Sequence, residues 1–221
     1  LSLIMKKNPE IIVVAGGIGC GKSVVCKMLA SMGFAVYDCD SRAKAIMDES
    51  CDIIDGIASE ICREAIVENG GKRIIDRKRL AAEVFRDIDK LNKLNGLVHQ
   101  AVKSDILRWR DDMGMCDYRH GVVFVETALL RQSGLDMMAD EVWEVTAPLE
   151  TRVQRAMRRD KSDRECVEAR IRSQEMTSRE RDVVDNGFEP QALAEVRVIE
   201  NDGLTPVLPQ VISLLADFTA S

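Results

Sequence analysis

The sequence predicts an α/β fold, a parallel sheet with helices on both faces. Two observations predict it. Short apolar runs recur at Ile11–Ala15, Phe34–Tyr37, Val122–Val125, Val142–Thr146 and Val196–Ile199. Between them lie stretches whose apolar residues repeat every three and four positions, the helical period. Strands alternating with helices are the pattern of a parallel sheet built through crossovers. The size agrees: 221 residues, 46% of them hydrophobic, bury one full core with room for a small inserted subdomain.

Ile11–Ala15 is apolar on both faces, as a buried strand requires, and ends in glycines. Val24–Met32 has helical spacing, and Gly33 closes it as a C-cap. Val24 is expected to pack on the sheet. Phe34–Tyr37 follows as the second strand. The third does not come until Val122, a gap too long for one crossover helix. It is expected to hold an inserted, mostly helical subdomain. Inside it, Leu91, Leu94, Val98, Val102, Ile106 and Trp109 form one apolar stripe. After the third and fourth strands, residues 151–182 read as a charged helical hairpin with little apolar content. Such a segment is expected to sit poorly in a core and to move. Val196–Ile199 supplies the fifth strand.

Composition excludes several classes. No apolar run approaches the ~20 residues of a membrane span, and the hydrophobic fraction excludes a disordered chain. Leu1–Glu10 is too short and wrongly ordered for a secretory signal, and residues 1–8 are set aside from the fold, Met5 being a candidate initiator. Seven cysteines without a C-x-x-C pair, and only two histidines, give a zinc site few ligands. Free thiols in a reducing cytoplasm are expected. The net charge of −6 argues against nucleic acid as a partner. Residues 151–182 nevertheless carry ten basic against seven acidic side chains, a local +3 on a remainder of −9. A basic segment on an acidic body points to a local anionic ligand.

Gly16-Gly-Ile-Gly-Cys-Gly-Lys22-Ser23 supplies a site for such an anion. It fits G-x-x-x-x-G-K-[ST], follows a strand and opens a helix. Glycines let the backbone curl so that successive N–H groups face phosphate oxygens, and the helix adds its positive end. Gly17, Ile18, Gly19, Cys20, Gly21, Lys22, Ser23 and Val24 are the candidate nucleotide-binding residues. Lys22 would bridge the β- and γ-phosphates of a nucleoside triphosphate such as ATP, and the Ser23 hydroxyl would hold Mg²⁺. Cys20 needs only to be small.

The rest of the chain suggests where the γ-phosphate goes. The guanine-reading N-K-x-D of regulatory GTPases has only Asn92-Lys-Leu-Asn95 as a counterpart, which lacks the Asp and lies inside the apolar stripe. A kinase needs a base near an acceptor hydroxyl and mobile cations. Asp38 and Asp40 follow the second strand, at the end of the sheet where ligands bind. Each has two available roles: proton acceptor, or cap of the following helix. Arg152, Arg155, Arg158 and Arg159 line one or two adjacent helix faces. Most are expected to pair with Asp160, Asp163 and Glu165, and one or two to reach the transferring phosphoryl group.

These residues together resemble the dephospho-coenzyme A kinase family. The resemblance runs through Ala15–Ser23 with its Gly-Gly-Ile-Gly start, Val36–Asp40 with its D-x-D, and Ile75–Leu80 followed by Val84-Phe85. It continues through Leu94–Val98 with His99, the arginine-rich stretch with Gln174, and Asp182–Gly187, similar to a D-x-V-I-x-N-x-G segment.

The resemblance implies an α/β P-loop kinase of the nucleoside-monophosphate-kinase type, a single domain over 9–221. It implies a five-stranded parallel core flanked by helices (about 9–40, 119–150 and 183–221), a helical substrate-binding insertion (about 41–118) and an arginine-rich lid (about 151–182). The implied enzyme is a phosphotransferase to an alcohol, using ATP and Mg²⁺ to phosphorylate the 3′-hydroxyl of dephospho-coenzyme A in the cytoplasm. No membrane or nucleic acid is involved, and oligomeric state stays open. Asp40 falls on the family's catalytic base, Lys22 and Arg155 on its phosphate-stabilising cations, and Asp38, Asp40 and His99 on the acceptor side. His99 also suits a plain polar tip on a helix. Glu126, at the end of the third strand, is a candidate for organising Mg²⁺-bound water beside Ser23. The chain departs from the family's usual residues at Ala15, Gln100 and Ala128.

Overall fold

The computed structural model describes residues 8–115, 121–184 and 194–219. In chain order the elements are β1 (Glu10–Ala15), α1 (Lys22–Ser31), β2 (Val36–Asp38), α2 (Cys39–Glu49), α3 (Cys51–Glu60), β3 (Ile66–Asn69), β4 (Lys72–Ile75), α4 (Arg77–Val84), α5 (Ile88–Met115), β5 (Val122–Glu126), α6 (Leu130–Ser133), β6 (Glu141–Thr146), α7 (Leu149–Asp160), α8 (Arg164–Val184), β7 (Glu195–Glu200) and α9 (Val207–Thr219). Each predicted sheet strand is present within a residue or two. No helix among the described residues is long and apolar enough to cross a membrane.

The chain divides into two compact units, one running to Tyr37 and resuming at Arg110, the other spanning Asp38–Trp109. The first holds the five-stranded parallel sheet, in the order β2-β5-β1-β6-β7. β1 lies at its centre with parallel neighbours on both sides, Val14 opposite Glu126 of β5 and Trp143 of β6. Ile12 and Val14 point to one face and Ile11 and Val13 to the other, and all four are buried, hence the uninterrupted apolar run. On the first face α1 and α9 cover a core built round Phe124, whose ring meets Phe34 edge-on at 5.4 Å and Trp143 at 5.1 Å. The loop after β1 is thereby anchored at the carboxyl end of the best-buried strand, where a parallel sheet presents ligands.

The helical hairpin α7–α8 differs from expectation. It has its own small core: Val153, Ala156, Val167 and Ile171 are buried against one another, with Ile18 and Met157 packed on them. Low average hydropathy hid a narrow stripe of small aliphatic residues, enough for two helices to meet. Val24 is the second correction. It is 44% exposed, and Val25 is the residue that packs inward, fully buried. The helix begins two residues earlier than the spacing suggested, at Lys22, which turns Val24 outward.

The second unit is mostly helical, as predicted, but carries a hairpin, β3–β4, that the periodicity does not announce. Its residues are largely exposed, so no apolar alternation marks it; the Gly70-Gly71 turn is the only signal. Ile53, Ile54 and Ile57 bury one face of α3, and a Cβ at Gly56 would crowd Leu97 of α5. Val102 and Ile106 of the predicted stripe are buried, and Leu91, Leu94, Val98 and Trp109 are half-buried. Asn92–Asn95 lies within α5, which removes the guanine-reading alternative.

Candidate active site

The loop between β1 and α1 is held from outside by side chains that take its carbonyls. Arg152 Nε donates to Ile18 O at 3.0 Å, and Asn201 Nδ2 donates to Cys20 O at 2.8 Å. The Ile18 N–H donates to Gln174 Oε1 at 2.9 Å, and the same carboxamide donates to Ala128 O at 2.7 Å. Lys22 Nζ folds back onto the loop, donating to Gly16 O at 2.8 Å and Gly17 O at 3.4 Å. With the Ile18 and Cys20 carbonyls engaged outward, the loop curls so that backbone N–H groups can turn toward an anion, while the Cys20 N–H closes a turn onto Gly17 O at 3.2 Å. The start of α1 suits one: its N-cap is Gly21, with no side-chain cap and no acid in the first turn, so the helix keeps its positive end.

Two glycines are obligatory for this curl. Gly19 has φ +80° and Gly21 φ +94°. A Cβ at Gly19 would run into the Arg152 backbone, and one at Gly21 into Asn201 Nδ2. Cys20 is buried in the core cluster, a packing role. The described cysteines (Cys20, Cys26, Cys39, Cys51, Cys62 and Cys166) are free thiols; Cys116 lies outside the described residues.

The arginines of α7 and α8 separate by direction. Arg159, Arg164, Arg170 and Arg172 pair with neighbouring carboxylates at the surface. Hydrogen bonds from Arg159, and next from Arg170, hold the Asp160 carboxyl far below the usual carboxylate range. Arg152 and Arg155 turn instead to the loop. Arg155 donates from Nη1 to Asn201 O at 2.8 Å and from Nη2 to Asn201 Oδ1 at 3.2 Å. A cavity of about 490 Å³ is bordered by Gly16, Gly17, Ala128, Arg131, Thr146 and Arg152 among others.

The geometry is that of a nucleotide-phosphate cradle, and known proteins fit it. Residues 10–191 match the family model described as dephospho-CoA kinase. The chain belongs to the dephospho-CoA kinase family.

Two relatives of that name are from Porphyromonas gingivalis, 40% identical over 73% of this chain and 76% of that protein, and Bacteroides fragilis, 34% identical over 92% and 90%. Among solved structures, a dephospho-CoA kinase from Campylobacter jejuni aligns with a TM-score of 0.58 at 25% identity, covering 94% of this chain and 96% of that one. A Thermus thermophilus protein, TT1252, aligns with a TM-score of 0.68 at 31% identity, over 97% and 98%.

Family motifs acquire physical roles here. Asp76 of the Ile75–Leu80 stretch caps α4, accepting from the N–H groups of Lys78 and Arg79 at 3.1 Å, while Leu80 and Val84 are buried. Asp38 caps α2, accepting from Asp40 N at 3.0 Å and Ser41 N at 3.2 Å, with Ser41 Oγ at 2.6 Å. The cap is therefore Asp38. Asp40, exposed in the first turn of α2, is spared that duty. His99 is half-buried on α5. Glu126 ends β5, beside the central strand that leads into Ser23, and is half-buried.

Of the segment 182–187, residues 185–187 lie outside the described residues. The letters V-I-x-N-x-G occur in Val198-Ile-Glu-Asn-Asp-Gly203, where the chain leaves β7. Asn201 there binds the loop, Arg155 and, through its own N–H, Thr146 O at 2.8 Å. Sequence reasoning missed Asn201, and those letters were the available signal.

Proposed function

We infer that the chain transfers the γ-phosphoryl group of ATP to the 3′-hydroxyl of dephospho-coenzyme A, giving coenzyme A and ADP. The observation that carries the reading is the braced phosphate loop in a chain of this family. The acceptor oxygen bonds to the γ-phosphorus as the bond from that phosphorus to the β–γ bridging oxygen breaks. The hydroxyl proton passes to a base, and ADP leaves. Asp40 is assigned as that base because its neighbour Asp38 already supplies the cap.

Lys22 and Arg155 supply cations for the charge that spreads over the phosphoryl oxygens. Lys22 exchanges loop carbonyls, and Arg155 exchanges Asn201, for phosphate. Asp38 and His99 are assigned to the acceptor side. The donor set suits Mg²⁺: the Ser23 hydroxyl and Glu126 carboxylate are hard oxygen ligands. No cluster of three or more acidic, His or Cys side chains exists among the described residues to form an all-protein cage. That fits an ion held largely by phosphates and water. Bound there, it would neutralise phosphate charge. The hairpin α7–α8 acts as the lid that excludes water from the reaction. Domain limits follow the same reading: core about 9–40, 119–150 and 183–221, acceptor-binding insertion about 41–118, lid about 151–182. The free thiols suit the cytoplasm.

The test is an ADP-release assay with Mg·ATP, with and without dephospho-coenzyme A, with the product weighed by mass spectrometry. Acceptor-dependent ADP and a product heavier by one phosphoryl group are expected. Folded, ATP-binding protein without acceptor-dependent turnover would refute the assignment.

A further inference from the structure

Arg152 has one nitrogen left over. Its side chain is 12% exposed. Nε is committed to Ile18 O, and Nη1 to Glu175 Oε1 at 2.8 Å. Nη2 is buried with no hydrogen-bond partner among the described residues. It lies against Gly17, where a Cβ would collide with it. A buried guanidinium N–H without an acceptor is costly and uncommon, so it calls for a cause. Arg155, by contrast, spends both terminal nitrogens on Asn201.

Position along the loop says which anion fits. The later N–H groups of such a loop cradle the α- and β-phosphates, while its lysine reaches the β- and γ-phosphates. Nη2 lies at Gly17, one of the two residues whose carbonyls hold Lys22 Nζ. That is the γ end. Gly17 leaves room for the guanidinium because it has no side chain, and Glu175 and Ile18 fix the fork so that Nη2 alone is spare.

We propose that Arg152 is a further catalytic residue, whose Nη2 donates to a non-bridging oxygen of the γ-phosphoryl group of ATP. The proposal rests on the donor-site reading above. It gives the reaction two arginines from one helix: Arg155, tied to Asn201, and Arg152, pre-set on the loop.

The experiment compares wild type, Arg152→Gln and Arg152→Lys, each checked for folding by circular dichroism. Binding of ADP and of a non-hydrolysable ATP analogue is measured by calorimetry, and kcat by ADP release. For Arg152→Gln, kcat should fall by about 10²- to 10³-fold. Analogue affinity should fall on the order of tenfold with ADP affinity nearly unchanged. Arg152→Lys should regain part of the preference for the analogue, since it keeps the charge, and it carries the test if the glutamine variant does not fold. Equal losses for ADP and analogue would make Arg152 a strut of the loop and overturn the proposal, as would an unchanged kcat or a lysine variant without recovery. Failure of the donor-site reading looks different: wild type would not bind ADP, or Lys22→Ala would bind it normally.

Discussion

Asp38 and Asp40 stand two residues apart and have different partners. Asp38 accepts two backbone N–H groups and a hydroxyl. Asp40 is exposed and leaves the cap to its neighbour. Asp40→Asn should therefore lower kcat by about 10²- to 10⁴-fold with KM for ATP within a factor of two. Steady-state kinetics decides; unchanged turnover removes Asp40 from proton transfer. Asp38→Ala should instead cost about 1 kcal/mol of stability through the lost cap. Asp160 makes a second residue-scale prediction. Its folded pKa is depressed, first by Arg159 and then by Arg170. A depressed carboxyl stabilises the fold above its unfolded pKa of ~3.9, and that contribution is lost as pH falls toward the folded value. Carbon-detected NMR should find Asp160 still ionised at pH 3. A midpoint near the ordinary value would mean the two guanidinium bonds do not form in solution.

At the scale of elements, α8 fastens the phosphate loop to the end of β5 through one side chain. Gln174 takes the Ile18 N–H and gives an N–H to Ala128 O. The Ile18 side chain meanwhile packs on the α7–α8 core. Gln174→Ala leaves a part-buried donor and acceptor unpaired, a cost of about 1–3 kcal/mol. For a chain of this size that lowers Tm by roughly 2–4 °C per kcal/mol. Hydrogen exchange at the Ile18 amide should also accelerate, while amides at the centre of β1 keep their protection. Equal exchange at Ile18 in both proteins would show that the carboxamide does not brace the loop. The same contacts change the meaning of the basic hairpin. Its surface arginines Arg159, Arg164, Arg170 and Arg172 pair with carboxylates, while Arg152 reaches the loop directly and Arg155 reaches Asn201, which binds the loop.

For the whole molecule, a ligand that binds only the folded state stabilises it by mass action. At 100 times its Kd, ADP should add about 2.7 kcal/mol, raising Tm by roughly 5–11 °C for a chain of this size. Lys22→Ala should abolish most of the shift. A wild-type Tm indifferent to ADP would contradict a donor site at this loop. The acidic net charge of −6 repels a polyanionic ligand at long range. Binding thus depends on the local field of the α1 terminus, Lys22 and the two inward arginines, and it should weaken with added salt.

Much of this was legible in the sequence by itself. A five-residue β-branched run, apolar on both faces and closed by glycines, reads as a buried strand, and G-x-x-x-x-G-K-[ST] after it requires a curl that few other residues permit. Fold class, phosphate loop, Lys22, Ser23 and the family resemblance all follow from such local rules, which act within a few residues. The tertiary structure decided what depends on contacts between distant segments. It chose Asp38 over Asp40 as the cap. It set Arg152 on the phosphate loop and gave Arg155, which the family resemblance had already singled out, its partner Asn201. It placed Asn201 on the Cys20 carbonyl, 181 residues away in the chain, and gave the hairpin a core that mean hydropathy concealed. An arginine's partner is set by what the fold brings opposite it, and linear spacing holds no record of that.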